Sequence, residues 1–167
     1  MPEATQGDSP FEAVVATADY PIFVVTTRKG AQRAGCLVGF TTQVSIDPLR
    51  FLVGISKKNH TFEIAMHAHH LAVHLLDREQ LSLATLFGSE TGDDIDKFAH
   101  CDWHPGPASL PILDAVAGWF CGPILERHDF GDHVGLLLAP EAGSAPQPSS
   151  DALHYTAVSE LRPGHRA

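Results

Sequence analysis

The chain has 167 residues, 44% of them hydrophobic and 19% charged. This is a size at which one compact domain buries about 70% of the surface its unfolded chain exposes, and two independent domains do not fit in that length. Eleven Lys and Arg against 20 Asp and Glu give a formal charge of −9 at pH 7, which argues against a binder that relies on sequence-independent attraction to nucleic-acid phosphates.

Eleven histidines are the unusual component, and charging all of them would carry the formal −9 to +2. Net charge therefore depends strongly on pH where imidazoles titrate, and solubility should fall on acidification. The first 22 residues hold no Lys or Arg, so a secretory leader with a basic start is not expected. No apolar run approaches the roughly 18 residues that cross a bilayer. Cys36, Cys101 and Cys121 are odd in number and lack CxxC spacing, which leaves no disulfide framework and makes the cytoplasm the expected compartment.

The segment 1–9 is polar and reads as a loose N-terminus, followed by a short helix Pro10–Ala18 with proline in its first turn. Ile22–Thr27 is β-branched and aromatic, and Arg28–Gln32 reads as a turn into a second strand over Ala34–Thr42. Asp47-Pro48 punctuates the chain before a strand Arg50–Ile55, and Ser56–Thr61 then leads into a helix Phe62–His69. A strand is expected over His70–Leu76 and a helix over Gln80–Phe87. Gly88–Pro111 reads as irregular, with one helical turn near Ile95–Phe98. Strands follow at Ala115–Cys121, Ile124–Phe130 and His133–Ala139, the last two joined through Gly131-Asp132. Pro140–Asp151 reads as a surface loop and Leu153–Tyr155 as a short final strand, with a tail over 161–167. Six to eight short strands in one domain over residues 10–160 imply a mainly β fold, an antiparallel barrel with peripheral helices.

Signatures of dinucleotide loops, nucleoside triphosphate loops, zinc proteases and serine hydrolases are missing from the sequence. Ser56–Thr61 is the informative stretch, because hydroxyl, ammonium and amide donors stand between a strand and a helix start. They could converge on one anion such as a phosphate, or Ser56 or Asn59 could simply cap the helix beside solvated Lys57 and Lys58. In the run Met66–His74, His70 and His74 would share one strand face. No Cys or carboxylate stands at ligand spacing, so solvent-facing or interface histidines are expected there and a metal module is the minor alternative. His133 follows the Gly131-Asp132 turn and could project into a cleft, but on the residues alone the surface reading is the preferred one.

In their order along the chain, Tyr20-Pro21, Val24–Thr27, Ala34-Gly35, Val44–Pro48, Ser56–Thr61, Leu71–Leu76, Asp96–Phe98 and Gly131–His133 resemble the flavin reductase-like family of FMN-binding split barrels. The resemblance spans about Pro10–Ala139. It implies a six-stranded antiparallel split barrel that forms a homodimer, with a flavin near the interface. By the same resemblance Leu37, Val38, Gly39, Phe40, Thr41, Thr42 and Gln43 would line the isoalloxazine, and Ser56, Lys57, Lys58, Asn59, His60 and Thr61 would take the phosphate. His133 would contact the nicotinamide, and Lys97 and Phe98 would help close the site.

Where many relatives carry polar side chains against the flavin, this chain has Leu37-Val38-Gly39-Phe40, which leaves the polar edge to backbone N–H groups, Thr41, Thr42 and Gln43 and keeps FMN, FAD and a deazaflavin open. The implied activity is hydride transfer from NADH or NADPH to the flavin, with a monooxygenase as a candidate recipient. The alternative is a non-catalytic protein that stores or senses a flavin or deazaflavin. No metal, nucleic acid or membrane partner is expected.

Overall fold

The computed structural model of the chain describes residues 9–89 and 92–161, and Ser9 enters it as the cap of α1 (Pro10–Ala18). The Ser9 hydroxyl accepts from the Glu12 N–H at 3.1 Å while the Glu12 carboxylate accepts from the Ser9 N–H at 3.2 Å, a reciprocal box with proline in the first turn. Apart from Ser9 and Leu161, the expected N-terminal segment 1–9 and tail 161–167 lie outside the described residues.

β1 (Phe23–Lys29) and β2 (Gln32–Val38) form a hairpin closed by Gly30-Ala31. Gly30 has φ 58, which the first position of a tight type II′ turn requires and a residue with a Cβ resists. β3 (Thr41–Ser45), β4 (Arg50–Ser56), α2 (His60–Ala65), β5 (His70–Leu75) and α3 (Leu81–Ser89) follow. Then come the small hairpin β6 (Trp103–Pro105) and β7 (Pro111–Leu113), and the strands β8 (Gly118–Asp129), β9 (His133–Leu138) and β10 (Ala142–Ser144). The main sheet is antiparallel throughout in the order β2-β1-β5-β8-β9-β4-β3, with β10 added to β8.

β2 and β3 stand at opposite ends of that order, yet only Gly39-Phe40 separate them in the chain. The sheet must therefore curl until its ends meet, and the Gly54 N–H donates to the Phe40 carbonyl at 2.7 Å where they do. Inside lie Val25, Cys36, Val38, Val53, Ile55, Leu71, Val73, Val134, Leu136 and Leu138, the alternate residues of their strands. Each such aliphatic side chain stabilises the fold by about 1.5–3 kcal/mol when removed from water. A second cluster outside the wall joins Ile22 and Val24 to Leu83, Ala84 and Phe87 of α3, to Phe98 and to Leu113 of β7. No helix among the described residues is long and apolar enough to cross a membrane.

The mainly β barrel with peripheral helices agrees with expectation, and several boundaries do not. The strand expected over Ala34–Thr42 is two strands, β2 and β3, because the chain leaves one end of the sheet and joins the other at Gly39-Phe40; the sheet has eight strands where six were expected, the extra two arising from this division and the added β10. The two strands expected over Ala115–Cys121 and Ile124–Phe130 are one, β8, whose first half pairs with β5 and whose second half pairs with β9. Pro123 sits inside it at the changeover, where its carbonyl accepts from Ala139 N–H and its missing N–H costs no ladder bond.

The helix expected over Phe62–His69 starts earlier and ends at Ala65, since Asn59 caps it. β6 falls in the stretch Gly88–Pro111 expected to be irregular, β7 begins at its end, and β10 falls in the expected surface loop Pro140–Asp151, each strand only three residues long. Leu153–Tyr155 is not a strand: His154 makes one bridge with Pro21, and a 3-10 turn, Tyr155–Ala157, follows.

Candidate functional site

The crossing from β2 to β3 opens a cavity of about 240 Å³ on the outside of the barrel wall. Residues 36–40 form one side of it. Gly54, Ser56 and Asn59 come from the end of β4 and the start of α2, and His133 from the first position of β9. The opposite side is Tyr20 and Ile22 with Tyr155, Val158 and Leu161, so the two ends of the described chain meet over the site. They are tied there by the Tyr155 N–H to the Tyr20 carbonyl at 2.9 Å and by Asp19, whose carboxylate accepts from the Thr156 N–H and hydroxyl. The Tyr20 and Tyr155 rings stack 4.9 Å apart. The Tyr20 ring leaves no room for a side chain at position 39, where a Cβ would approach it to 2.5 Å.

Strand register explains how an apolar wall can still present polar groups. The β1–β2 pairs next to the two-residue turn are hydrogen bonded, and alternation from there directs the N–H and C=O of Arg33, Gly35 and Leu37 away from β1, toward the open edge of β2. The Gly35 carbonyl is taken by the Lys97 ammonium at 3.0 Å. The Leu37 backbone lies at the cavity, where it can serve a planar ligand edge.

Cys36 is buried in the barrel at the cavity floor. Burial pushes its thiol up, opposed by the Lys97 charge and by the nearby polar side chains of Thr61 and Asn59, so it is a protonated packing residue there.

His133 is oriented from several sides. It pairs with Ser56 in the β4–β9 register, its ring lies 4.9 Å from that of Phe40, and its Nδ1 is 2.7 Å from the Asp132 carboxylate. That hydrogen bond holds the Asp132 carboxyl below its usual range. The arrangement makes Nδ1 the donor, and among the described residues Nε2 has no hydrogen-bond partner.

Ser56–Thr61 forms a tight turn into α2. The Asn59 carboxamide accepts from the Thr61 N–H at 2.9 Å, and the Ser56 hydroxyl accepts from the Lys58 N–H at 3.3 Å. The capping role considered for Ser56 or Asn59 thus belongs to Asn59.

Of the residues expected at the site, Leu37, Val38, Gly39, Phe40, Ser56, Asn59 and His133 share this cavity. Thr41, Thr42 and Gln43 do not line it; they belong to β3, and Gln43 borders a shallow outer depression with Val44–Asp47. Lys57 turns to the β8–β9 hairpin, with its ammonium 2.8 and 2.9 Å from the Asp129 carboxylate oxygens. Lys58 is exposed beside it, and Thr61 is buried under the turn.

His60 faces the other way, its Nδ1 2.8 Å from Asp93, and borders a separate depression with Arg33, Asp96, Lys97 and Phe98. Lys97 and Phe98, expected to close the site, are 5% exposed each and belong to the packing of the barrel wall on α3. The Lys97 ammonium also donates to the Phe87 carbonyl, and Phe98 packs edge-on against Phe87 and Trp103.

His74 corrects the expectation of solvent-facing histidines. It is fully buried, with Nδ1 2.9 Å from the Val24 carbonyl and Nε2 accepting from the Leu113 N–H at 3.2 Å. Tyr20, which stood only in the Tyr20-Pro21 motif, and Ile22, Tyr155, Val158 and Leu161 line the cavity without having been expected there. One signal was present in that the chain has only two tyrosines, and both stand at this cavity.

An apolar slot with one polar rim and an open backbone edge suits a planar, partly polar ring. Its volume is below the roughly 300–1,000 Å³ of a site that encloses such a ligand fully. Residues 16–160 match the flavin reductase like domain. The chain is 32% identical to the reductase component of a flavin-dependent trigonelline monooxygenase of Acinetobacter baylyi, over 70% of this chain and 37% of that protein. It is 30% identical to the FMN reductase (NADH) RutF of Klebsiella pneumoniae, over 74% of each. Among solved structures, an FMN-binding protein from Thermus thermophilus, with bound 1-cyclohex-2-enone, superposes with a TM-score of 0.77 at 26% identity over 89% of both chains. The chain spans between about a third and a half of the length of several of the curated relatives it matches.

Proposed function

Because the chain belongs to the flavin reductase-like domain family, we propose that it is an NAD(P)H-dependent flavin reductase, with residues 10–160 as its catalytic domain. The observation that carries this reading is the cavity at the β2–β3 crossing, where residues 36–40 and His133 face one another. A bound flavin, FMN or FAD, would supply a hydride acceptor at N5 for the C4 hydride of NADH or NADPH.

The protein's part is binding and alignment. Phe40, Leu37 and the Tyr20–Tyr155 pair exclude water and offer flat apolar contact. The open-edge N–H of Leu37 offers a donor to a polar ring edge where negative charge would gather on reduction. His133, held through Nδ1 by Asp132, presents Nε2 to a nicotinamide carboxamide. The side chains of Ser56 and Asn59 would form the pole for a phosphate, since the N–H groups of residues 57–59 and 61 are already taken within the turn and by Asp132.

The small cavity volume supports a site completed by a second copy in a homodimer. So does the exposure of Phe40, Val44, Ile46 and Leu49 along the unpaired edge of β3 and the loop after it. The name of the Acinetobacter relative supports a monooxygenase as recipient of reduced flavin, and three unpaired cysteines fit work in the cytoplasm.

The apolar stretch Leu37–Phe40 favours a second reading, a protein that binds flavin or deazaflavin without turning it over. The absorbance spectrum of freshly purified protein, followed by nicotinamide oxidation assays with FMN and FAD, separates the two. Oxidation of NADH or NADPH is the expected result. Tightly copurifying flavin with no oxidation by any pair would overturn reduction in favour of storage.

A further inference from the structure

Lys57 stands in the segment proposed to hold phosphate, yet its bonds point to another task. Its ammonium lies 2.8 and 2.9 Å from the two oxygens of Asp129, the last residue of β8. Its own N–H donates to the Asp132 carbonyl at 2.9 Å. Asp129 in turn accepts from the Gly131 N–H at 3.0 Å, and the bonds it receives hold its carboxyl below the usual range.

Between these anchors runs a two-residue turn, closed by the Phe130 N–H on the His133 carbonyl at 3.0 Å, with Gly131 at φ 131. The β4–β9 ladder pairs His133 with Ser56 at its last rung, so the turn beyond that rung depends on its own contacts for its place. Lys57 grips both flanks of the turn, and the residue that follows is His133.

We propose that Lys57 and Asp129 are a positioning pair that fixes the β8–β9 turn and so aims His133, and that Lys57 is not a phosphate ligand. The proposal rests on the reading of His133 as the nicotinamide-facing residue. The geometry sets the two roles against each other. As a positioning pair, the two side chains act in series, and removing either one has the same consequence. As a phosphate ligand, Lys57 would be restrained by Asp129, and removing that carboxylate would release the ammonium for the phosphate.

The test uses Lys57→Met, Asp129→Asn and the rescue variant Lys57→Arg in the full chain. Steady-state KM for the nicotinamide and Kd for FMN are measured for each. Both single variants should raise the nicotinamide KM by about fivefold, the scale of an exposed ion pair. FMN affinity should stay unchanged, and Lys57→Arg should recover most of the loss. Weaker FMN binding in Lys57→Met with tighter binding in Asp129→Asn would overturn the proposal, and so would an unchanged nicotinamide KM in both.

NMR of the His133 ring protons supplies a readout that needs no turnover. Both single variants should shift or broaden these resonances, and identical spectra would overturn the positioning role. If the unaltered protein oxidises neither nucleotide, the reductase reading falls, and the ring spectra still decide whether the pair fixes His133.

Discussion

His74 and His133 begin from the same side chain in strands of the same sheet, and their surroundings make them opposites. Around His74 the backbone consumes both ring nitrogens, Val24 through its carbonyl and Leu113 through its N–H, and no water reaches the ring. The imidazole there must stay neutral, and burial lowers its pKa to about 4 despite the opposing pull of the Val24 carbonyl. Around His133, among the described residues, only Nδ1 has a hydrogen-bond partner, the Asp132 carboxylate, and the ring stands at the rim of a cavity. The two rings thus differ in how many of their nitrogens the described residues satisfy.

Substitution can break the comparison most forcefully on the buried side. His74→Ala should leave the Val24 carbonyl and the Leu113 N–H without partners above a new void. A loss of about 3–5 kcal/mol of unfolding free energy is expected in urea denaturation. Acid should produce a slightly smaller effect at the same residue. The unfolded His74 takes up a proton near pH 6.5 while the folded ring does so only near 4, so stability is fully present above pH 6.5 and declines as pH falls toward 4. About 3 kcal/mol should disappear across that window. A His74→Gln variant, weaker throughout, should lose that part of the slope in pH-dependent unfolding.

The smallest stability change belongs to the other histidine. His133→Ala should leave the urea midpoint nearly unchanged and raise the nicotinamide KM about tenfold, a loss of about 1.4 kcal/mol. A larger rise in flavin KM than in nicotinamide KM would assign that ring to the flavin instead.

The residue pattern carried the strands that are buried on both faces. β1, β5 and β9 were legible because Val24-Val25, Leu71–Val73 and Val134–Leu138 announce buried strands whatever their partners. The same pattern hid the break at Gly39-Phe40, since an apolar run reads as one strand and only closure of the barrel forces the chain across. At Gly122-Pro123 the error ran the other way. Those residues look like a stop, but the strand changes partners there, where a missing N–H is tolerated.

In the site, the wall 37–40 and His133 followed from the order of the motifs. Tyr20, Tyr155 and Leu161 did not, because nothing local couples segments more than 130 residues apart. Lys57 and Lys97, which the resemblance assigned to the phosphate and to the closing of the site, have partners that the local sequence does not announce: an aspartate 72 residues away meets one and two backbone carbonyls hold the other.

The link Gly39-Phe40 joins the two ends of the sheet order, and the first and last described segments of the chain fold over the same place. A molecule seated there touches parts of the protein that would separate first if the barrel opened. It would therefore act as a staple, and by mass action its concentration would set how often the barrel opens. In such a protein resistance to proteolysis tracks the supply of its ligand, and chains starved of that ligand are the first to be cleared.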